Sequence, residues 1–294
     1  MRTWVVWGLY LSLVTTVWAT PISKLVIFGD SLSDSGNSYE YSQHHMPAAP
    51  WYYQGRFSNG PIWTDFLLDA FFPQNKTQHI LSYAFGGAGI LKTQGESFTL
   101  TQEIDSYLLS HSASTVQHSV FFIWIGANDY LIEPHSNNTK IPQLVNTVQK
   151  NIERLLNQGA KHFMIISLPD LGLSPFARDL EITTELSQLT QQHNRLLKDM
   201  VMKLKERYPH VDWIYFDVNL LWLELMHHPK KYALLYSKEA CIQTFSETHK
   251  GIDNRCSEYV FFDQFHPTTS VHQRLAEHMM IGLDSLHIQA MSSQ

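Results

Sequence analysis

The sequence predicts an α/β fold, a parallel sheet covered by helices on both faces, on three observations. Its candidate strands are short and almost continuously apolar, they alternate with segments of helical spacing, and three of them stop beside glycine and small polar residues. Taken in order, the run 24–28 (KLVIF) ends at Gly29 and is too short to be a helix. The runs 79–85, 119–125 (SVFFIWI) and 162–167 (HFMIIS) repeat the pattern before Gly86-Gly87, Gly126 and Leu168-Pro169-Asp170, and 211–218 makes a fifth strand. Between them, Ile141, Leu144, Val145, Val148, Ile152 and Leu155 fall on one helical face, with Gly159 as the stop. A long helix is expected over 179–208, ended by Pro209, and another from about Thr268. The stretch 226–259 has few periodic apolar positions and reads as a long excursion near the last strand. In such sheets ligands bind beyond the carboxyl ends of the strands, which places the site before any motif is named.

Composition sets the outer bounds. The chain has 294 residues, 44% of them hydrophobic, with 21 Lys+Arg against 27 Asp+Glu and a formal net charge of -6. That balance fits one globular domain, expected over residues 20–294, and its lack of a basic run argues against nucleic acid as a partner. Residues 1–19 read as a cleaved signal peptide: Arg2, an uncharged apolar stretch over 4–18, then Val17-Trp18-Ala19. The stretch is shorter than the roughly 20 residues a spanning helix needs, so a secreted or periplasmic protein without a transmembrane anchor is expected, the alternative being a retained anchor. In an oxidising compartment Cys241 and Cys256 are expected to pair, closing a loop of about 15 residues worth up to about 3 kcal/mol. The alternative is two buried thiols.

The chemistry gathers at the strand ends. After the first run stands Phe28-Gly29-Asp30-Ser31-Leu32-Ser33-Asp34-Ser35-Gly36-Asn37, where Ser31 sits on a tight turn that can project its hydroxyl from the sheet edge. Ser33, Asp34 and Asn37 can serve simply as caps of the following turn. Far downstream, Phe262-Asp263-Gln264-Phe265-His266-Pro267 presents an imidazole from an extended residue, because Pro267 keeps His266 out of the α region. Asp263 can fold back onto one ring nitrogen and leave the other to take the Ser31 proton. His44, His45, His227 and His228 take the ordinary surface or core reading. Donors for a developing oxyanion can come from Gly86-Gly87 and from Asn128 in Ile125-Gly126-Ala127-Asn128-Asp129.

These blocks resemble the GDSL, or SGNH, family of serine esterases and lipases. The matching stretches are FGDSLSDSGN (28–37), AFGGA (84–88), IGANDY (125–130) and DQFH (263–266), supported by GRFSNGPIW (55–63), LPDLGLSP (168–175) and Asn194. AFGGA departs from the valine that many relatives carry before the glycines. The resemblance implies an α/β/α sandwich of flavodoxin-like order, with catalytic residues Ser31, Asp263 and His266. It also implies an oxyanion hole from Ser31 N–H, Gly87 N–H and the Asn128 amide, and chemistry that needs no metal or organic cofactor. Asp30 is read as a residue that builds the turn.

FGDSLSDSGN with GRFSNGPIW is similar to bacterial secreted lipolytic enzymes, which implies a lipid ester substrate met at a membrane surface. Lysophospholipase A or phospholipase A activity is the leading expectation. Acyl transfer to a sterol, short-chain or carbohydrate ester hydrolysis, and a non-catalytic binding module are the alternatives. Trp51, Tyr52, Tyr53 and Phe57 are read as acyl-chain or interface contacts, or else as a packed loop core. The cysteine loop, close in sequence to Asp263, is a candidate gate. Asn75 and Asn137 are N-x-[ST] sequons.

Overall fold

The computed structural model describes residues 20–92, 98–132, 138–242, 256–286 and 288–290. The leader reading for 1–19, the Asn137 sequon and the gating idea for the interior of the cysteine loop therefore lie outside the described residues. Five parallel strands form the centre: β1 (Lys24–Gly29), β2 (Ile80–Ser82), β3 (Ser119–Trp124), β4 (His162–Ile166) and β5 (Asp212–Phe216), in the order β2-β1-β3-β4-β5. This is the order in which the chain, having left β1 on one side for β2, returns on its other side as β3. The crevice between β1 and β3 is the topological switch point where such folds bind ligands.

Alternate side chains of each strand feed two separate cores. Val26, Phe28, Phe121, Ile123, Phe163 and Ile165 face one side and pack beneath α2 (Leu100–Ser110), α3 (Ala113–Gln117), α4 (Ile141–Asn157) and α5 (Thr183–Arg207). Leu25, Ile27, Val120, Phe122, Trp124, Met164 and Ile166 face the other, beneath α1 (Trp63–Phe71), α6 (Val218–His227) and α7 (Thr269–Ser285). Both faces of the sheet are thus dry, which is why the strand sequences are apolar throughout instead of alternating. In α4 the predicted face, Ile141, Leu144, Val145, Val148, Ile152 and Leu155, is the buried one. Truncating any one of these larger side chains to alanine costs about 2–5 kcal/mol on ordinary core precedent. Among the described residues no helix is long and apolar enough to cross a membrane.

Three sequence expectations are adjusted. The edge strand β2 stops at Ser82, where Asn37 Nδ2 donates to the carbonyls of Ser82 and Ala84, and the chain keeps only Tyr83 N–H to Ile27 O and Phe85 N–H to Gly29 O on β1 before turning at Gly86-Gly87. The helix expected over 179–208 begins at Thr183. A separate short helix, Pro175–Asp179, ends first, and Glu181 at φ 58° interrupts the path. Within 226–259 the described residues are less irregular than their pattern suggests: α6 runs on to His227, and β6 (Tyr236–Ala240) pairs in parallel with β7 (Tyr259–Phe261). Strands this short show no detectable period. Cys241 and Cys256 are disulfide-bonded, and the Cys241 and Ile242 amides bond Phe261 O and Phe262 O, so the bridge anchors chain immediately before Asp263.

Gly29 ends β1 where no side chain fits. A Cβ there would lie 2.5 Å from the Trp124 carbonyl oxygen, in the backbone of β3. Its amide donates to Glu103 Oε2 at 2.9 Å, and Glu103 is held in the first turn of α2 behind a capping box between Thr99 and Gln102. Burial, reinforced by the nearby Asp30 and Asp34 charges, pushes the Glu103 carboxyl well above its ordinary pKa, although the Gly29 N–H opposes this.

Two outcomes follow. Gly29→Ala should cost about 1–3 kcal/mol, because only a backbone shift relieves the clash, and urea unfolding measures it. A carboxyl with a raised folded pKa takes up a proton on folding, so its contribution to stability declines as pH rises above the unfolded value of about 4.5. Glu103→Gln removes that decline: the melting temperature of the variant relative to the parent should climb steadily from pH 5 to pH 8. A difference that stays flat would show that Glu103 does not bind its proton in the fold.

Candidate active site

The turn after β1 is built by its own side chains. Ser33 N–H donates to Asp30 O at 2.9 Å and Leu32 N–H to Asp30 Oδ1 at 3.0 Å, which closes the chain around Ser31. Asp30 is almost wholly buried, and burial raises its pKa to about 7 against the pull of the Leu32 N–H and His266. Asp34 then gathers four amides. Gly36 and Asn37 donate to Oδ1 at 2.9 and 2.7 Å, and Ser38 and Gly86 donate to Oδ2 at 3.1 and 2.9 Å. Asn37 extends the splice by donating to Ser82 O and Ala84 O, both at 3.0 Å. One carboxylate and one amide thus tie the Ser31 turn to the loop leaving β2.

That splice also separates the two glycines. Gly86 N–H is taken by Asp34 and by Ser38 Oγ, and a Cβ on Gly86 would run into the Phe57 ring at 2.4 Å. Gly87, at φ 78°, faces open space and lines the pocket. The β3 end is locked in the same way. Asn128 Nδ2 donates to Ala88 O at 2.8 Å, while Asp129 accepts Ile90 N–H at 2.8 Å and Leu91 N–H at 3.0 Å. Burial lifts the Asp129 pKa to about 6. Beneath this turn the Tyr130 hydroxyl and His193 Nδ1 lie 2.8 Å apart, and burial lowers His193 to about 4.

Across the crevice, the 263–266 turn folds onto its own carboxylate. Asp263 Oδ1 accepts Phe265 N–H at 2.8 Å and His266 N–H at 2.7 Å, while Oδ2 lies 2.7 Å from His266 Nδ1. His266 Nε2 lies 2.8 Å from Ser31 Oγ, joining residues 235 apart in the chain. Burial works against the Asp263 charge, but His266, the Tyr52 hydroxyl and the Phe265 N–H together hold its pKa below the usual carboxylate value. The GRFSNGPIW segment clamps this turn from outside. Ser58 Oγ donates to Pro267 O, Thr269 N–H donates to Asn59 Oδ1, and Thr269 Oγ1 donates to Pro61 O.

All five residues expected at the site, Ser31, Gly87, Asn128, Asp263 and His266, therefore meet at one end of the sheet. Four of them line a cavity of about 280 Å³, with Asp263 behind His266. Away from Ser31 its walls are apolar: Trp124, Leu131, Ile132, Leu171, Phe176 and Trp222 among them. Leu171 is carried by the LPDLGLSP loop, where Asn194 holds Leu168 by both its N–H and its C=O at 2.8 Å. Phe176 and Trp222 were not legible as pocket residues, since one follows a proline at a short helix and the other sits in a helix with no motif. The aromatic group after the nucleophile divides. Phe57 packs on the His266 ring at 5.2 Å and lines the cavity, whereas Tyr52 reaches Asp263 instead.

Residues 25–279 match the GDSL-like Lipase/Acylhydrolase family. The chain is 26% identical over 302 residues to a phosphatidylcholine-sterol acyltransferase of Aeromonas hydrophila, covering 87% of this chain and 88% of that one. It is 30% identical over 266 residues to the secreted effector protein SseJ of Salmonella typhimurium, covering 87% of this chain and 62% of that longer protein. Among solved structures, the carbohydrate acetylesterase Est24 of Sinorhizobium meliloti superposes with a TM-score of 0.52 at 16% identity, over 90% of this chain and 99% of that one. At that identity the likeness concerns the fold. The chain belongs to the GDSL-like lipase and acylhydrolase family and is a serine ester hydrolase.

Proposed function

We propose that this chain hydrolyses acyl esters of lipids, with lysophospholipid or diacyl phospholipid as substrate, through a Ser31 acyl-enzyme. The observation that carries the proposal is the continuous contact from Asp263 through His266 to Ser31, opening into an apolar cavity. Ser31 Oγ attacks the ester carbonyl carbon as its proton passes to His266 Nε2. The carbonyl oxygen takes up the negative charge among the Ser31 and Gly87 amides and the Asn128 side chain. The intermediate collapses with loss of the alcohol, which receives the His266 proton. Water then attacks the acyl carbon, again giving its proton to His266, and the fatty acid leaves as Ser31 recovers its hydrogen.

The cavity favours a lipid over a sugar ester. Its walls offer rings and aliphatic groups beyond Ser31, and each methylene moved from water onto such walls is worth up to about 0.8 kcal/mol. The acetylesterase likeness speaks for the fold and not for the substrate. A second reading, acyl transfer from the same acyl-enzyme to a sterol hydroxyl, is favoured by the named activity of the Aeromonas relative. Export from the cytoplasm fits the leader-like residues 1–19, the Cys241–Cys256 bond and the relative named as a secreted effector.

Ser31→Ala should abolish turnover with the fold intact by circular dichroism, and His266→Ala should come close to doing so; undiminished activity in either would refute the assignment. With a p-nitrophenyl ester series, kcat/KM should rise about two- to fourfold per methylene from acetyl to hexanoyl. A maximum at acetyl would point to a short-chain or carbohydrate esterase instead. Product analysis of phospholipid vesicles with and without cholesterol separates hydrolysis from transfer.

A further inference from the structure

Tyr52 stands outside the family blocks quoted above, yet its hydroxyl donates to Asp263 Oδ2 at 2.7 Å, the same oxygen that faces His266 Nδ1. The ring is held edge-on by two aromatics, Phe262 at 5.3 Å and Phe57 at 6.1 Å. Its backbone belongs to a loop that is itself bonded: Tyr52 N–H donates to Ala48 O and Tyr53 N–H to Ser58 O, and Ser58 Oγ donates to Pro267 O. Tyr52 therefore reaches Asp263 from a braced position. Burial and the neighbouring Asp263 charge both raise the pKa of its hydroxyl, so it serves as a donor throughout the working range.

We propose that Tyr52 is a positioning residue of the reaction, fixing the rotation of the Asp263 carboxylate and supporting its charge, and through it the aim of His266 at Ser31. The proposal rests on the reading of Ser31, His266 and Asp263 given above. Two backbone amides already hold Oδ1. Without Tyr52 the ring nitrogen is the sole partner described for Oδ2, and a buried carboxylate loses a donor that opposed its desolvation. Activity requires Asp263 charged and His266 neutral, and losing the donor makes the pair bind a proton more readily. The acid limb of the rate profile must then move to higher pH. The other titratable groups facing the pair are Asp30 at the end of β1 and His272 on α7, and both remain in the variant.

The test is Tyr52→Phe in the full chain, assayed with soluble p-nitrophenyl butyrate so that no lipid interface intervenes. We expect kcat to fall about 10-fold with KM within about twofold, and the acid limb of kcat/KM to rise by about half a pH unit. An unchanged kcat, or a fall without movement of the acid limb, overturns the proposal. Inactivation by a serine-reactive fluorophosphonate, compared across the parent, Tyr52→Phe, Asp263→Asn and the double variant, gives a second measure. The Tyr52→Phe penalty should disappear in the Asp263→Asn background, and a penalty that persists there equally rejects the idea. Loss of turnover in Ser31→Ala with a normal Tyr52→Phe sinks only the role of Tyr52. Retained turnover in Ser31→Ala sinks the catalytic reading itself.

Discussion

The 2.8 Å contact between Ser31 Oγ and His266 Nε2 is the interaction on which the rest of the molecule is organised. A serine hydroxyl is a weak nucleophile until a base stands within hydrogen-bond reach, and no local segment can supply both groups with that accuracy. Here the serine is carried on the turn that closes β1, and the histidine stands just before α7. Both ends of the contact are held against packed elements, so the geometry is set by the cores on the two faces of the sheet and not by loop flexibility.

Carboxylates, buried at Asp34, Glu103 and Asp263 and half-buried at Asp129, carry out most of the positioning, and they do so by accepting backbone amides. Asp34 joins the Ser31 turn to Gly86, Asp129 joins the Asn128 turn to Ile90 and Leu91, Glu103 grips Gly29, and Asp263 folds its own turn. Each replaces a solvating water shell with fixed N–H dipoles. Their protonation states nevertheless diverge. Asp263 gains His266 and Tyr52 as partners and keeps its charge, while Glu103 has only Gly29 among the contacts described and is driven toward the neutral form. A carboxyl group thus serves as the charged partner of the histidine in one place and as a quiet strut in another.

The pocket divides the labour differently. Its polar end is made by turn residues at the carboxyl edge of the sheet, and its apolar end by Leu171, Phe176 and Trp222 from the loop and helices that follow β4 and β5. On the proposed reading, acyl chemistry falls to the first half of the sheet together with the last turn, and the acyl chain of the ester to the second half.

The alternation of apolar strands with helical segments was enough to establish the layered α/β architecture, because burial on both faces leaves a continuous hydrophobic signature. That Ser31, Gly87, Asn128, Asp263 and His266 come together at one end of the sheet was also legible, since each sits in a short block whose glycines, asparagine or proline have a conformational reason to be there. Tertiary structure alone decided that Tyr52 bonds Asp263, that Ser58 and Asn59 clamp the residues after His266, and that Phe176 and Trp222 close the cavity. It also decided that β6 and β7 pair within a stretch of weak pattern. Those relations join segments far apart in the chain through side chains that have no periodicity of their own. Nothing local in the polymer records which distant partner a tyrosine hydroxyl or a tryptophan ring will meet.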